Sequence, residues 1–494
     1  MPTAREVFRA VSFYLAPVAR AWVQGSRRKQ RGVKGVSQLQ RTFDSIVERE
    51  QGLRHALSSG QMAMIAIGGA IGTGLFLGSG FAIGLAGPSV LISYAIGALI
   101  ALLLMGALAE MTVAHPTAGS FGAYAEHYVG PLAGFLVRYA YWFAVVFAIG
   151  TEISAIAVFM KYWSPTVPGW YWVIGFSALL IAVNMASVTL YGSVEYAFSL
   201  LKIAAIIVFV VLGAYFVWSA PAASGIGFAN YTAHGGFLPK GPWGTWVAVI
   251  VAIFSYMSIE AVAIAAGEAR DPEHAVTRAF RSTVFRLVLF YLLTLALMLA
   301  IVPWTQAGTD ESPFVKVMAA TRVPYAAGVI NFVVLVAALS AMNSQLYVTT
   351  RMMFSLSRAR LAPAVFGRLG VNGVPRAALW VSTSGVAVAA VLVALSPDTA
   401  FTVMMAIAMF GALFTWLMIF VTHLRFRRDY RGPALAFRMW LHPFGSLLGA
   451  GLLAAILVTT AFTREFRMTM AVGVVFVVLL TLAYALHYRH QHAR

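Results

Sequence analysis

The sequence predicts an all-α membrane protein that crosses the bilayer many times. Of its 494 residues, 60% are hydrophobic and only 11% are charged, and the mean hydropathy is +0.81. A soluble domain cannot bury that much apolar surface, whereas helices in contact with lipid require it. Apolar runs of about 20 residues, long enough to cross a bilayer as helices, recur along most of the chain.

Twelve of these runs are predicted to be transmembrane helices, and no soluble domain interrupts them. Residues 59–490 are therefore predicted to form a single transmembrane domain, which follows a basic tail of residues 1–58. The predicted spans lie at about 60–84, 88–112, 132–160, 168–187, 194–217, 244–267, 279–302, 325–354, 377–395, 399–423, 442–462 and 467–487.

The basic residues between the spans are distributed unevenly, and this asymmetry predicts the orientation. With the N-terminus in the cytoplasm, the outer loops contain little beyond Lys161, Lys240, Lys316, Arg322, Arg464 and Arg467. The inner loops then contain Arg270, Arg278, Arg281, Arg351, Arg358, Arg360, Arg368, Arg376, Arg425, Arg427, Arg428, Arg431 and Arg438. Because cytoplasmic loops carry an excess of lysine and arginine, we expect both termini on the cytoplasmic side of the plasma (inner) membrane.

The basic tail of residues 1–58 has two interpretations. Between Val7 and Val23 apolar side chains alternate with arginines, a pattern typical of a helix that lies on anionic lipid; a mobile tail is the alternative. The basic cluster from Arg27 to Lys34 fits an anionic cytoplasmic leaflet. The net charge of +18 is therefore assigned to contacts of the tail and inner loops with anionic lipids, and not to nucleic-acid binding.

Several classes of protein are excluded by what the sequence lacks. It has no cysteine, so disulfides and thiolate metal sites are excluded. It has no phosphate-binding G-x-x-x-x-G-K-[ST] loop and no H-E-x-x-H motif, and its histidines form no cluster within a span. No spacing of nucleophile and base within the spans indicates catalysis. The protein is predicted to be no enzyme and to bind neither a metal nor a cofactor.

The first span contains a glycine-rich stretch, IAIGGAIGTGLFLGSG, from Ile65 to Gly80. Each glycine weakens a helix by about 1 kcal/mol relative to alanine, so the group around Gly72-Thr73-Gly74 favours a broken helix. Broken helices within a membrane line protein-enclosed cavities, where they bind substrates and ions. The alternative is close helix packing, because Gly74 and Gly78 have small-xxx-small spacing and Gly80 follows them. The stretch alone does not distinguish these interpretations.

Ionisable residues within spans are the next candidates for a functional site, since each costs about 2.5 kcal/mol or more at the bilayer centre. Glu152, Lys202 and Glu260 lie well inside the third, fifth and sixth spans, and a role in function is favoured for them. Glu110 and Glu268 lie near span ends, where a structural role is favoured.

The sixth span is predicted to be interrupted as well. Its segment from Phe254 to Pro272 begins with small and polar residues, among them Ser255 and Ser258, followed by Glu260. Since it comes five spans after the glycine-rich first span, it favours two inverted repeats with a binding site at their interface. Repeat one would cover about 60–217 and repeat two about 244–423, with extra helices at about 442–487.

A series of motifs along the chain carries a family resemblance. They are GGAIGTGLFLGSG, PTAGSF at Pro116–Phe121, Tyr141-Trp142 ahead of Glu152, Glu195 ahead of Lys202, FSYMSIE with AAGEARDP, SAMNSQLY before Arg351, and TWLMIFVTHLRFRR at Thr415–Arg428. In this order they resemble the amino acid permeases of the amino acid–polyamine–organocation superfamily, in the bacterial branch with aromatic amino acid and gamma-aminobutyrate permeases. The resemblance covers essentially everything after residue 50.

The resemblance implies a LeuT-type fold of five-plus-five inverted repeats with two extra helices, and proton-coupled uptake of an amino acid by alternating access. It also implies a substrate site. The amides of Gly72, Thr73 and Gly74 would bind the substrate carboxylate, in agreement with the attraction of a half-helix N-terminus for anions. Carbonyl groups near both breaks would bind the substrate ammonium, and Phe254 would form an aromatic gate. These carbonyls are near Ile71 and at Phe254, Ser255, Tyr256 and Met257.

The same resemblance implies the proton-coupling residues. The Lys202 ammonium would take the place of a sodium ion found in sodium-coupled relatives. Glu152 would help to carry the proton or face the substrate ammonium, and Glu260 would contribute to proton linkage or to conformational coupling. This chain has Met257-Ser258 where many relatives have a glycine pair, so the identity of a relative's substrate does not transfer; Ser258 could hydrogen-bond a substrate side chain.

The sequence leaves alternatives for the function. An obligate amino acid exchanger and a non-transporting amino acid sensor are the alternatives to a proton symporter. A neutral substrate is favoured, because no acidic residue besides Glu152 and Glu260 is placed to bind a basic one. The sequence does not predict the oligomeric state.

Overall fold

The computed structural model describes residues 71–117, 119–186, 188–221, 225–265, 288–370 and 372–492, together with Phe43, Ser45, Ile46 and Glu48. The chain divides into Met1–Ser45 and Ile46–Arg494, and the helices below belong to the second unit. Almost all of the predicted basic tail, and Glu268 with the loop arginines Arg270, Arg278 and Arg281, lie outside the described residues.

All regular structure in the described residues is helical. The helices are α1 (Thr73–Phe76), α2 (Gly78–Ala86), α3 (Val90–Ala114), α4 (Ser120–Tyr128), α5 (Pro131–Met160), α6 (Gly169–Ala186), α7 (Val188–Ser219), α8 (Gly241–Tyr256), α9 (Ala261–Ala265), α10 (Val288–Ile301), α11 (Pro313–Ala320), α12 (Ala326–Arg358), α13 (Arg376–Ser382), α14 (Ser384–Leu395), α15 (Pro397–Asp429), α16 (Phe444–Phe462) and α17 (Arg467–His492).

Ten helical stretches in these ranges are long and apolar enough to cross a membrane. The all-α, multi-pass class is therefore confirmed, whereas the predicted number of twelve spans stays a prediction. The difference has two sources. The predicted first and second spans are joined by a single 3-10 turn, Gly87–Ser89, into one stretch at Gly78–Ala114, and the predicted seventh span is described only over Val288–Ile301.

Burial separates the inner helices from those at the periphery. In the most apolar 18-residue stretch of Gly241–Ile264 every residue is buried, and in that of Pro131–Met160 83% of the residues are buried. In the corresponding stretch of Arg464–Leu486 only 11% of the residues are buried. The long helix α5 packs against α12, α14 and α15. Glycine permits close contact between α5 and α14, since a Cβ atom at Gly385 would lie 1.9 Å from the Val146 carbonyl oxygen of α5. Glu152 lies on α5, and buried Lys202 and Glu195 lie on α7.

Candidate functional site

The first described helix begins at the predicted substrate site. Gly72 is extended, with φ −130° and ψ −155°, and α1 starts at Thr73. The N–H groups of Leu75 and Phe76 donate to the Gly72 carbonyl oxygen, so the first helical bonds are made there. A helix leaves its first N–H groups without a partner inside the helix, and these face the acceptors around Gly72. Residues 49–70, including Gly68 and Gly69, lie outside the described residues.

The carboxylate of Glu152 binds this helix start. The Thr73 N–H donates to Glu152 Oε2 at 3.0 Å, and Gln345 Nε2 lies 3.5 Å from Oε1. Glu152 is 3% exposed, so the contact is shielded from solvent. A Cβ atom on Gly72 would lie 2.7 Å from Glu152 Oε1 and 2.8 Å from Ala341 Cβ. The absence of a side chain at Gly72 thus allows Glu152 and α12 to approach, and Glu152 occupies the amide predicted for a substrate carboxylate.

The side chain of Lys202 binds the same segment from the other side. Its Nζ donates to the Ile71 carbonyl oxygen at 3.0 Å, and the residue is fully buried. Lys202 lies on α7 and Glu152 on α5, so two helices contribute ionisable groups to adjacent peptide groups. A basic side chain therefore binds the carbonyl group before Gly72, and an acidic side chain binds the N–H group after it.

The predicted interruption of the sixth span is present. Helix α8 ends at Tyr256 and α9 begins at Ala261, with Met257 extended (ψ 156°) between them. Ser258 has φ +75°, a left-handed conformation that is uncommon for a residue other than glycine. Helix α1 touches the last turn of α8 next to this interruption, because a Cβ atom on Gly74 would lie 2.7 Å from Ser255 Cα.

Glu260 stabilises this interruption. Its Oε1 accepts hydrogen bonds from the Tyr141 hydroxyl at 2.7 Å and the Ser258 N–H at 3.2 Å. Its Oε2 accepts one from Trp416 Nε1 at 3.2 Å, and the residue is fully buried. The carboxylate thereby connects the break to α5 and α15, and it lies in a different set of contacts from Glu152 and Lys202.

Three tyrosines surround Ser255, and only Tyr256 among them was singled out from the sequence. The Tyr291 hydroxyl donates to the Ser255 carbonyl oxygen at 2.8 Å, and the Tyr94 hydroxyl lies 2.8 Å from Ser255 Oγ. The Tyr256 ring lies 4.9 Å from that of Tyr291 and points its hydroxyl at the Tyr94 carbonyl oxygen. The Ser255 carbonyl predicted for the substrate ammonium therefore already accepts one hydrogen bond. Isolated tyrosines in apolar spans carry no pattern that predicts this cluster.

The segment between α10 and α12 covers one end of this region. Ser312 Oγ donates to the Phe76 carbonyl oxygen at 2.6 Å, and the Phe314 ring lies 4.7 Å from that of Phe76. A Cβ atom on Gly80 would lie 2.2 Å from the Gly308 carbonyl oxygen, so Gly80 allows contact with this loop and not with another helix. Gly78, by contrast, has ordinary contacts at 3.5 Å.

The residues predicted to form the gate and to face the substrate side chain are buried: Phe254, Met257 and Ser258 are each at most 4% exposed.

Glu110 lies in a separate ionic cluster at the end of α3. It accepts hydrogen bonds from His423 Nε2 at 3.0 Å, Arg427 Nη1 at 2.9 Å and the Met439 N–H at 2.9 Å. His423 Nδ1 lies 2.8 Å from Ser446 Oγ on α16. The cluster joins α3, α15 and α16 and does not reach Gly72, which agrees with the structural role expected for Glu110.

Comparison with known proteins decides the family. The sequence model of the family described as "Amino acid permease" matches residues 61–493, which is most of the chain. This chain belongs to the amino acid permease family. The resemblance inferred from its motifs is thereby confirmed, and the protein is a multi-pass membrane protein of amino acid transport.

Individual relatives match the permease over nearly their whole length. It is 35% identical over 452 residues to YtnA of Bacillus subtilis, an uncharacterized amino acid permease, covering 90% of this chain and 98% of the relative. It is 40% identical over 424 residues to the gamma-aminobutyric acid permease of Bacillus subtilis, covering 85% and 90%. It is 34% identical over 444 residues to the aromatic amino acid transport protein AroP of Salmonella typhimurium, covering 90% and 97%.

Proposed function

We propose that this permease imports an L-amino acid across the cytoplasmic membrane together with a proton, by alternating access. The proposal includes twelve transmembrane helices in a LeuT-type arrangement of two inverted five-helix repeats plus two further helices, with both termini in the cytoplasm. The family and the names of two relatives, a gamma-aminobutyric acid permease and an aromatic amino acid transport protein, support an amino acid as the substrate.

The observation that carries the proposal is the pair of contacts on either side of Gly72. Lys202 binds the Ile71 carbonyl and Glu152 binds the Thr73 N–H, each at 3.0 Å. A proton gained or lost by either side chain changes a hydrogen bond to the backbone that is proposed to bind the substrate. Proton binding and substrate binding thus act on the same peptide groups, which is the requirement for coupling free energy between them.

Glu152 is proposed to hold the place of the substrate carboxylate while the site is empty. When an amino acid enters, its carboxylate replaces that of Glu152 on the Thr73 N–H. Protonation of Glu152 favours the replacement, because a neutral carboxylic acid accepts a hydrogen bond from a helix N-terminus less strongly than a carboxylate. The released Glu152 faces the substrate ammonium, and Glu260 keeps α8 and α9 in their interrupted conformation throughout.

The substrate is proposed to be neutral. Besides Glu152 and Glu260, no acidic side chain adjoins the breaks among the described residues, and Glu260 already accepts three hydrogen bonds. Met257 and Ser258 at the second break narrow the space and offer one hydroxyl to a substrate side chain. A thermal-shift panel of the twenty amino acids and gamma-aminobutyrate tests this: a neutral ligand should stabilise the purified permease, and stabilisation by lysine or arginine alone would contradict it.

Uptake into liposomes tests the transport mechanism. Empty vesicles with an imposed inward proton gradient should accumulate the stabilising amino acid in sodium-free buffer, and a protonophore should abolish accumulation. Entry only into vesicles preloaded with amino acid would instead show an obligate exchanger. Binding without flux in either condition would show a sensor. Sodium-dependent uptake that survives in Lys202→Ala would contradict the role proposed for Lys202.

A further inference from the structure

A buried carboxylate on α7 has no role in the site described above. Glu195 is fully buried. Its Oε1 accepts hydrogen bonds from Ser340 Oγ at 2.5 Å and Ser199 Oγ at 3.3 Å, and its Oε2 accepts one from Asn343 Nδ2 at 3.1 Å. All of these donors are neutral, and two of them belong to α12.

The charge of Glu195 therefore needs another source of stabilisation. No basic side chain in the described parts of the chain forms an ion pair with it. A buried carboxylate is costly unless it is paired or neutralised by a proton. Lys202 is seven residues away on α7, which is two helical turns along the same face and about 10 Å along the axis. Ser199 lies between them, so the face carries a carboxylate, a hydroxyl and an amine in sequence.

Further polar and aromatic side chains lie between Glu195 and the start of α7. Asn184 Nδ2 on α6 donates to Asn343 Oδ1 at 2.8 Å, and Asn184 is 8% exposed. One turn before Glu195, the Tyr191 ring stacks on Tyr347 at 4.5 Å. The charged groups that face this region are Lys202 on α7, Glu152 on α5 beyond Lys202, and Arg351 on α12, which lies 4.1 Å above the Tyr347 ring.

We propose that Glu195 accepts the transported proton from Lys202 and releases it to the cytoplasm. The inference rests on the proposed function, in which α7 begins at its cytoplasmic end and Glu195 lies between Lys202 and that side. An N–H bond of the Lys202 ammonium breaks, and the proton passes through the Ser199 hydroxyl or an intervening water to a carboxylate oxygen of Glu195. Glu195 then loses the proton to water on the cytoplasmic side.

Electrostatics favours this transfer over direct release. Lys202 and Glu195 together are neutral before the transfer, as ammonium and carboxylate, and neutral after it, as amine and carboxylic acid. No net charge is therefore created in the buried interior at this step. The buried charge changes only when Glu195 releases the proton, two helical turns nearer the start of α7 than Lys202.

Proton flux and substrate exchange are measured separately in the test. The full-length permease is reconstituted into liposomes that contain a pH-sensitive dye, and substrate-induced acidification is compared with exchange of labelled for unlabelled substrate at equal pH. In Glu195→Gln we expect acidification to fall about a hundredfold, the typical effect of removing a positioned proton carrier, while exchange persists because it needs no net proton release. Glu465→Gln, the same change at an exposed residue, should keep both.

A purely structural role for Glu195 predicts a different pattern. Ser340→Ala removes a hydrogen bond from the same carboxylate without removing a titratable group. Loss of both acidification and exchange in Glu195→Gln and also in Ser340→Ala would overturn the inference in favour of structural support. Unchanged acidification in Glu195→Gln would overturn it as well. The proposed proton symport itself fails if the unaltered permease shows no substrate-induced acidification. The role of Glu195 alone fails if the unaltered permease acidifies the vesicles and Glu195→Gln acidifies them equally.

Discussion

Gly72 lies between the two charged contacts at the start of α1. Replacing it with alanine adds a methyl group 2.7 Å from Glu152 Oε1 and 2.8 Å from Ala341 Cβ. Overpacking of this kind costs about 1–3 kcal/mol, and here it also displaces Glu152 from the Thr73 N–H. We expect Gly72→Ala to weaken substrate stabilisation in thermal-shift assays and to reduce uptake. Gly84→Ala is the matched control, since no atom lies within 4 Å of its added Cβ; equal uptake by the two variants would contradict the prediction.

Glu260 should matter more for coupled transport than for folding. A glutamine there keeps the shape but points an amide N–H₂ at donors such as the Tyr141 hydroxyl or Trp416 Nε1. We expect Glu260→Gln to reduce proton-driven uptake more than it reduces the amount of protein in the membrane, measured in parallel on the same cells. Tyr141→Phe, which removes one of these donors, should show a milder form of the same defect. Normal uptake kinetics in Glu260→Gln would exclude this role.

Sequence alone identified the residues of the candidate site better than their contacts. Glu152, Lys202 and Glu260 could be singled out because charge is costly within a span. Their partners could not, since Glu152 and Thr73 are 79 residues apart and no periodicity relates them. For the same reason Gln345, Tyr291 and the donors around Glu195 were not predicted: their position depends on how helices from distant parts of the chain pack.

Among the helices, the Glu110 cluster holds α3 and α15 together. The Glu110→Ala variant lacks the carboxylate that accepts hydrogen bonds from His423, Arg427 and the Met439 N–H. Breaking a buried pair in this way costs about 3–5 kcal/mol, so the detergent-purified variant should unfold at a clearly lower temperature. Asp398→Ala on α15 removes only an exposed contact to Lys161 at 4.0 Å and should change stability by about 1 kcal/mol or less. Equal unfolding temperatures would contradict the structural role of Glu110.

His115, in the loop after α3, lies in surroundings that disfavour the charged form of its imidazole. Burial, and secondarily the neighbouring His127, lowers the pKa of the His115 imidazole from 6.5 to about 4. Its stabilising contribution is therefore complete above pH 6.5 and is lost as the pH falls toward 4. The unfolding temperature should decline over this range. His115→Phe, which keeps the packing against Phe426, should decline less, and an equal decline in the two proteins would contradict the prediction.

Long apolar runs predicted the long helices to within a few residues, as at 132–160 for Pro131–Met160 and at 325–354 for Ala326–Arg358. The short helices Ser120–Tyr128 and Pro313–Ala320 were not predicted, because a helix in a loop needs no apolar run. The interruption at Met257–Glu260 was predicted from its small and polar residues. The left-handed conformation of Ser258 was not, since serine itself gives no signal for it.

At the scale of the molecule, four of the buried ionisable side chains in the described residues lie on the helices where proton and substrate are proposed to meet. Glu152, Lys202, Glu195 and Glu260 are at most 3% exposed and lie on α5, α7 and the break after α8. Helices near the periphery, such as α17, carry apolar surface outward. This distribution is costly for a protein that only spans the membrane. It is accounted for if protonation at Glu152 and Lys202 controls the backbone around Gly72, while Glu195 carries the proton onward and Glu260 maintains the break after α8.

Proton linkage to substrate binding tests this central claim most directly. Isothermal titration calorimetry of the purified permease, repeated in buffers of different ionisation enthalpy, gives the number of protons taken up with each substrate. We predict net proton uptake by the unaltered permease and by Lys316→Met, a change on the short helix α11, and none by Lys202→Met. Binding heats of the unaltered permease that do not depend on the buffer, or equal proton uptake by Lys202→Met, would contradict the account.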